Sequence, residues 1–203
     1  MVQSISHSVG ATIVIGSVTD PYQPIEKKEE ITRRCLQRLV EHQPRLEIIT
    51  KSPLVLRDLD LLKQFNYLKV GMSIGILNEQ YAKELEPHAP LPQQRVDALK
   101  RLHEAGISTY LFMSPIFPEF SEIDPLLDKT KGFVDEVFFE NLNIRANNRK
   151  AVLDFVAKNK PELVDFYSGL SKNGRYWDEV EGRIVKKCKE DGIKYRMFFH
   201  HGK

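Results

Sequence analysis

Five places in this 203-residue chain put hydroxyl, carboxylate, amide or ammonium groups directly behind a short apolar run. Ser17, Thr19 and Asp20 follow residues 11–16. Lys51 and Ser52 follow residues 46–50, Ser73 closes residues 68–74, Ser114 closes residues 108–114, and Glu140 with Asn141 follows residues 134–139. Brought together, these groups would present hydroxyls, an ammonium and several acceptors to one ligand. That set suits a zwitterionic or polyhydroxylated molecule, with Lys51 as partner of its carboxylate. Each residue also has a plainer use. Ser52 and Ser73 can cap the next helix, Asp20 before Pro21 can shape a turn, Lys51 can be a solvated rim residue, and Glu140 with Asn141 can tie down a loop. An acid–base enzyme built on Asp20, Lys51 and Glu140 would need the three within hydrogen-bonding reach of one another.

Other reactive side chains point elsewhere. Cys35 and Cys188 fall on apolar helical stripes, which predicts buried packing. His7, His42, His88 and His103 are scattered without metal-ligand spacing, and His200-His201 reads as a tail. Arg183, Lys186, Lys187 and Lys189 form a basic cluster that reads as the solvated face of a helix.

The elements that must position the strand-end groups alternate in type. Residues 11–16 (Ala-Thr-Ile-Val-Ile-Gly) are a continuous β-branched run, as expected of a parallel strand covered on both faces. Further strands are predicted over 46–50, 68–74, 108–114, 134–140 and 194–199. Ile31, Cys35, Leu36, Leu39 and Val40 make a helical stripe. Ser52-Pro53 opens a helix predicted over 54–65. A long connection broken by Pro87, Pro90 and Pro92 leads to a stripe of Val96, Leu99 and Leu102, stopped by Gly106. Helices are also expected over 123–131, 149–159 and 173–191, the last with Trp177, Val180, Ile184 and Cys188 on one face. Strands alternating with helices argue for an α/β fold with a parallel sheet and right-handed crossovers. Ligands of such sheets meet the carboxyl ends of the strands, whether the sheet is open or curled into a barrel, which periodicity alone leaves undecided.

Composition bounds the partners. Hydrophobic residues make up 41% and charged residues 29%, with a formal net charge of +2, so a general basic coat for nucleic acid is not indicated. No apolar run approaches the roughly 20 residues that span a bilayer, so no membrane association is expected. Residues 1–10 lack the pattern of a secretory signal. Two cysteines cannot build a disulfide framework or a four-thiolate metal site, and a reducing, cytoplasmic setting is expected.

The strand ends carry a resemblance. Gly16-Ser17-Val18-Thr19-Asp20-Pro21-Tyr22-Gln23-Pro24-Ile25-Glu26 resembles the G-[ST]-x-T-D-x-Y-Q-P-x-E stretch of radical S-adenosylmethionine proteins related to spore photoproduct lyase, commonly labelled DNA repair photolyases. Ile49-Thr50-Lys51-Ser52 resembles that family's x-T-K-S. Val70-Gly71-Met72-Ser73-Ile74, Leu85-Glu86-Pro87 with Pro90, Arg95 and Leu99, and Ser114-Pro115-Ile116-Phe117-Pro118 match in order. The match covers about residues 11–145. It implies a partial (β/α) barrel and S-adenosylmethionine as cofactor. By similarity, the loop from Ser17 through Thr19 to Asp20 takes the place that binds the methionine amino group. Lys51 and Ser73 match positions at the carboxylate and ribose, Ser114 to Ile116 would lie against the adenine, and Glu140 and Asn141 would face the cofactor or substrate. A DNA lesion is the substrate that the family label suggests.

One departure shapes the functional expectation. The family carries C-x-x-x-C-x-x-C after its first strand, where three thiolates hold a [4Fe–4S] cluster. Nothing of that spacing is present, and the first clear strand here resembles the family's second. The expectation is therefore a partial barrel missing its first strand, with residues 1–10 an N-terminal extension and 11–203 a single domain. Such a truncated radical S-adenosylmethionine protein would be inactive alone. The strand at 11–16 would be left as an exposed edge, to be covered by residues 1–10, a separate N-terminal segment or a second copy. A cluster-free protein that binds S-adenosylmethionine or a nucleoside is the alternative from another class.

Overall fold

The computed structural model describes residues 12–199. Among them six strands form one sheet in sequence order, β1 (Thr12–Ile15), β2 (Arg45–Thr50), β3 (Leu68–Ser73), β4 (Ser108–Ile116), β5 (Glu136–Asn141) and β6 (Tyr195–Phe198). Every adjacent pair is parallel. The sheet curls into a half-barrel, and the parallel sense puts every strand's carboxyl end on one rim. β1 lies at an edge with Val14 about half exposed. Residues 1–10, expected to be an extension and one of three candidates to cover that edge, lie outside the described residues, as does the His200-His201 tail.

The helices are α1 (Glu26–Glu29), α2 (Ile31–Val40), α3 (Leu59–Leu62), α4 (Glu79–Leu85), α5 (Pro92–Glu104), α6 (Ile123–Thr130), α7 (Arg149–Asn159), α8 (Val164–Gly169) and α9 (Gly174–Glu190). Strand alternation divides the sheet's side chains. Ile48, Val70, Met72, Leu111, Met113, Val137 and Phe139 share a buried core with Leu36, Leu62, Leu99, Leu127, Trp177 and Ile184 from the helices. The opposite, inner face carries Gly71, Tyr110, Phe112 and Phe138, in register rows that pair Gly71 with Tyr110 and Phe112 with Phe138. Tyr110 stacks on Phe138 with centroids 4.4 Å apart, and Phe198 meets Phe138 edge-on at 5.8 Å. The Tyr110 ring covers Gly71 so closely that a Cβ there would lie 2.1 Å from it. Its hydroxyl donates to the Ile48 carbonyl at 3.2 Å.

Three expectations are corrected. The helix predicted over 54–65 is a 3-10 turn at Pro53–Asp58 followed by the short α3, because Arg57 and Asp58 both turn into a buried charge cluster. The Ser52 cap holds, its hydroxyl accepting from the Leu54 amide at 3.3 Å. The proline-rich connection contains α4, started by Asn78, whose side chain accepts from the Gln80 and Tyr81 amides. Cys35 is exposed, not buried, because α2 packs through the narrower face of Thr32 and Leu36. Cys188 is buried on α9 with Trp177, Val180 and Ile184, as the stripe predicted. In the basic cluster of α9, Lys187 pairs with Asp191 at 3.0 Å.

Candidate functional site

The rim of carboxyl strand ends holds two hydrogen-bonded rows. At β1–β2, the Asp20 carboxylate is taken up within the chain. It accepts from the Tyr22 amide at 2.8 Å, the Thr50 hydroxyl at 2.6 Å and the Lys51 amide at 2.7 Å. Asp20 is therefore the tie between the β1 loop and the end of β2, a use that Asp before Pro21 allowed. Thr19 accepts from Gln23 at 2.8 Å, and both Ser17 and Thr19 are exposed. At β3–β5, the Ser73 hydroxyl donates to the Ser114 carbonyl at 3.2 Å, and the Ser114 hydroxyl donates to Glu140. Asn141, next in β5, is buried beside Ile116 in the register. Alternation places its side chain on the other face of β5 from that of Glu140.

Two residues that strand-end reasoning overlooked join the rows. Lys51 reaches Glu86 at 2.5 Å, and the other Glu86 oxygen accepts from Arg95 at 2.6 Å. Arg95, 2% exposed, also donates to the Ser73 and Pro90 carbonyls. Burial works against the Glu86 charge, yet Arg95 and Lys51 outweigh it and hold the carboxyl below the usual range. The signal was available as Glu86 and Arg95 bracketing a run of prolines, a spacing with no helical face in common.

On either side of Glu86 there is space. A cleft of about 750 Å³ opens between the β1 loop and residues 86–90, walled by Asp20, Gln23, Lys51 and His88 among others. A smaller, largely apolar pocket of about 180 Å³ lies behind, lined by Gly75, Ile76, Ala82, Leu85, Pro115 and Phe117. Gly75 is required there, since a Cβ would sit 2.6 Å from the Pro115 carbonyl oxygen.

The β1 loop is fixed from beneath. Asp58, fully buried, accepts from Tyr22 at 3.1 Å, Arg33 at 2.8 Å and Arg57 at 2.9 Å. Glu26 accepts from the Thr32 and Arg33 amides at the start of α2, and Arg57 bonds it at 2.9 Å. Burial raises the Glu26 carboxyl, but those amides and Arg57 pull it below the usual range. Burial, with Asp58 next, pushes the Tyr22 phenol well up, so Tyr22 stays a neutral donor.

The three groups of the acid–base alternative each have partners within the chain. Asp20 is held by Thr50 and two amides, the Lys51 ammonium by Glu86, and Glu140 by Ser114. The residues also do not fit a three-thiolate cluster. Of the two cysteines, Cys35 is exposed on α2, and Cys188 is buried on α9 with its thiol pushed up to about 11 by burial. Among the described residues no group of three or more His, Cys, Asp or Glu could hold a metal, and no helix is long and apolar enough to cross a membrane.

Comparison with known proteins identifies the family and the fold. The model of the radical SAM superfamily matches residues 1–128. The chain is 39% identical over 175 residues to the uncharacterized protein MJ0683 of Methanocaldococcus jannaschii, covering 86% of this chain and 66% of that protein. It is 26% identical over 199 residues to the uncharacterized protein Rv2578c of Mycobacterium tuberculosis, covering 94% and 58%. The chain thus spans between about half and two thirds of the curated relatives it matches. In fold it is similar to spore photoproduct lyase complexed with dinucleoside spore photoproduct, with a TM-score of 0.64, 15% identity, and coverage of 93% of this chain and 61% of that one. It is also similar to Streptococcus suis SuiB bound to S-adenosylmethionine, with a TM-score of 0.52, 14% identity, and coverage of 73% and 37%.

Proposed function

The chain belongs to the radical SAM superfamily, and from that premise we propose that its half-barrel binds S-adenosylmethionine across the carboxyl strand ends. The observation that carries this is the Lys51 ammonium on the wall of the cleft, separated by one side chain, Glu86, from an apolar pocket. In this reading Lys51 takes the ligand carboxylate, as a compact cation does. The loop of Ser17, Thr19 and Asp20 faces the amino group, with Asp20 setting the loop's shape. Ser73 lies at the ribose. The purine enters the pocket of Gly75, Pro115 and Phe117. Glu140, held by Ser114, faces the substrate side, and Asn141 supports β5 from within.

A reduced [4Fe–4S] cluster on three thiolates would supply the electron that cleaves S-adenosylmethionine reductively and so starts hydrogen abstraction. These 203 residues contain two cysteines, so that chemistry needs thiolates they do not supply. We assign to this chain the nucleoside-binding and substrate-facing part of the reaction, without activity alone. Residues 1–10, a second copy or a separate segment would cover the β1 edge. A substrate would meet the inner face, where Phe112 and Phe198 are partly exposed. The dinucleoside in the spore photoproduct lyase structure supports a nucleic-acid lesion there.

Calorimetry under air tests the binding. S-adenosylhomocysteine, which has the carboxylate and purine but no reactive sulfonium, should bind, and Lys51→Ala should weaken it about tenfold or more through loss of a charge-assisted contact. Equal affinity of the two proteins would remove Lys51 from the site. Anaerobic reconstitution with iron and sulfide should yield no [4Fe–4S] absorbance and no cleavage of S-adenosylmethionine. A stable cluster on this chain would overturn the assignment of its ligands elsewhere.

A further inference from the structure

Glu86 stands out because it is a carboxylate already resident where a ligand carboxylate is expected. It spans Lys51 and Arg95, at 2.5 and 2.6 Å, between the cleft and the apolar pocket. Its side chain is 25% exposed, Lys51 36% and Arg95 3%, so the three interact with reduced screening. Their sum is a single positive charge. Asp20 and Lys27, which also line the cleft, carry one charge of each sign and leave that sum unchanged, and the Asp20 carboxylate is further held by the Thr50 hydroxyl and the Tyr22 and Lys51 amides.

We propose that Glu86 sets the charge the cleft accepts, admitting a ligand whose anionic end is a single-charge carboxylate and rejecting one that ends in a dianionic phosphate. This rests on the nucleoside-binding reading above. The physical reason is a count of charges in a partly buried place. Two cations and one carboxylate leave room for one more negative charge, and a second carboxylate completes two ion pairs. A phosphate monoester, carrying close to two charges at neutral pH, would bring a like charge against Glu86 without a cation left for it. Glu86 is thus a specificity-determining residue that acts by excluding competing nucleotides, a form of selectivity achieved through repulsion. The same side chain positions Lys51 and Arg95, so removing its charge while keeping its shape separates the two roles.

The test compares S-adenosylhomocysteine with adenosine 5′-monophosphate by calorimetry at pH 8, in the unaltered chain, in Glu86→Gln and in Glu86→Asp, with thermal melting as the check on folding. The unaltered chain should favour S-adenosylhomocysteine. Glu86→Gln should move the ratio of affinities toward the nucleotide by about tenfold or more, and Glu86→Asp, which keeps the charge, should still favour S-adenosylhomocysteine. An unchanged ratio in Glu86→Gln while S-adenosylhomocysteine still binds would overturn the charge filter and leave the nucleoside site standing. So would equal affinity of the unaltered chain for the two ligands. No binding of S-adenosylhomocysteine by any of the three would overturn the site and the filter together.

Discussion

Gly71→Ala should lower folding stability by about 3 kcal/mol, at the upper end of what overpacking a well-packed interior costs. The added Cβ would lie 2.1 Å from the Tyr110 ring. That ring cannot swing aside, since Phe138 stacks on it at 4.4 Å and its hydroxyl is bonded to the Ile48 carbonyl. β3 is a central strand paired on both sides, so backbone relief would disturb β2 and β4 together. Urea unfolding of Gly71→Ala, Tyr110→Ala and the double variant checks the mechanism. The double variant should be clearly more stable than the sum of the two single losses predicts. Strict additivity would mean that the contact is not the cause.

Asp58→Ala should cost a similar amount, about 3 kcal/mol. It removes a buried carboxylate that accepts from Tyr22, Arg33 and Arg57. Full loss of a buried ion pair costs about 3–5 kcal/mol, and the lower figure follows because Arg33 keeps Asp60 and Arg57 keeps Glu26. The effect has a functional arm. Tyr22 and Arg33 hold the ends of the segment that carries Asp20 and Gln23 to the cleft, so amide hydrogen exchange over residues 20–33 should accelerate selectively. Asp60→Ala removes an exposed partner of Arg33 and should stay within about 1 kcal/mol of the unaltered chain.

Both effects reside in places where the sequence was only partly legible. The apolar runs marked all six strands because β2 to β5 are buried on their helix-facing side and β1 and β6 partly so, and the polar residues behind them marked the rim. The half-barrel itself came through the likeness of residues 16–26 and 49–52 to a family, since periodicity does not distinguish an open sheet from a curled one. The Lys51–Glu86–Arg95 bridge was not legible from strand ends, because Glu86 follows α4 and Arg95 lies in α5, and α4 was hidden by the neighbouring prolines. Asp58 fell inside the helix predicted over 54–65. Only the tight turn at Pro53–Asp58 brings it under Tyr22. Cys35 shows the opposite error, in that a helical stripe wider than the face actually packed put an exposed thiol in the core.

The central claim, that the carboxyl strand ends form one seat for an adenosyl amino acid, is met most directly by a crystal structure of the chain with S-adenosylhomocysteine. The account predicts the purine against Gly75, Pro115 and Phe117, and the ligand carboxylate on the Lys51 ammonium beside Glu86. A nucleoside bound elsewhere on the chain, or one at the rim whose carboxylate turns to solvent while Lys51 keeps Glu86 alone, would contradict it.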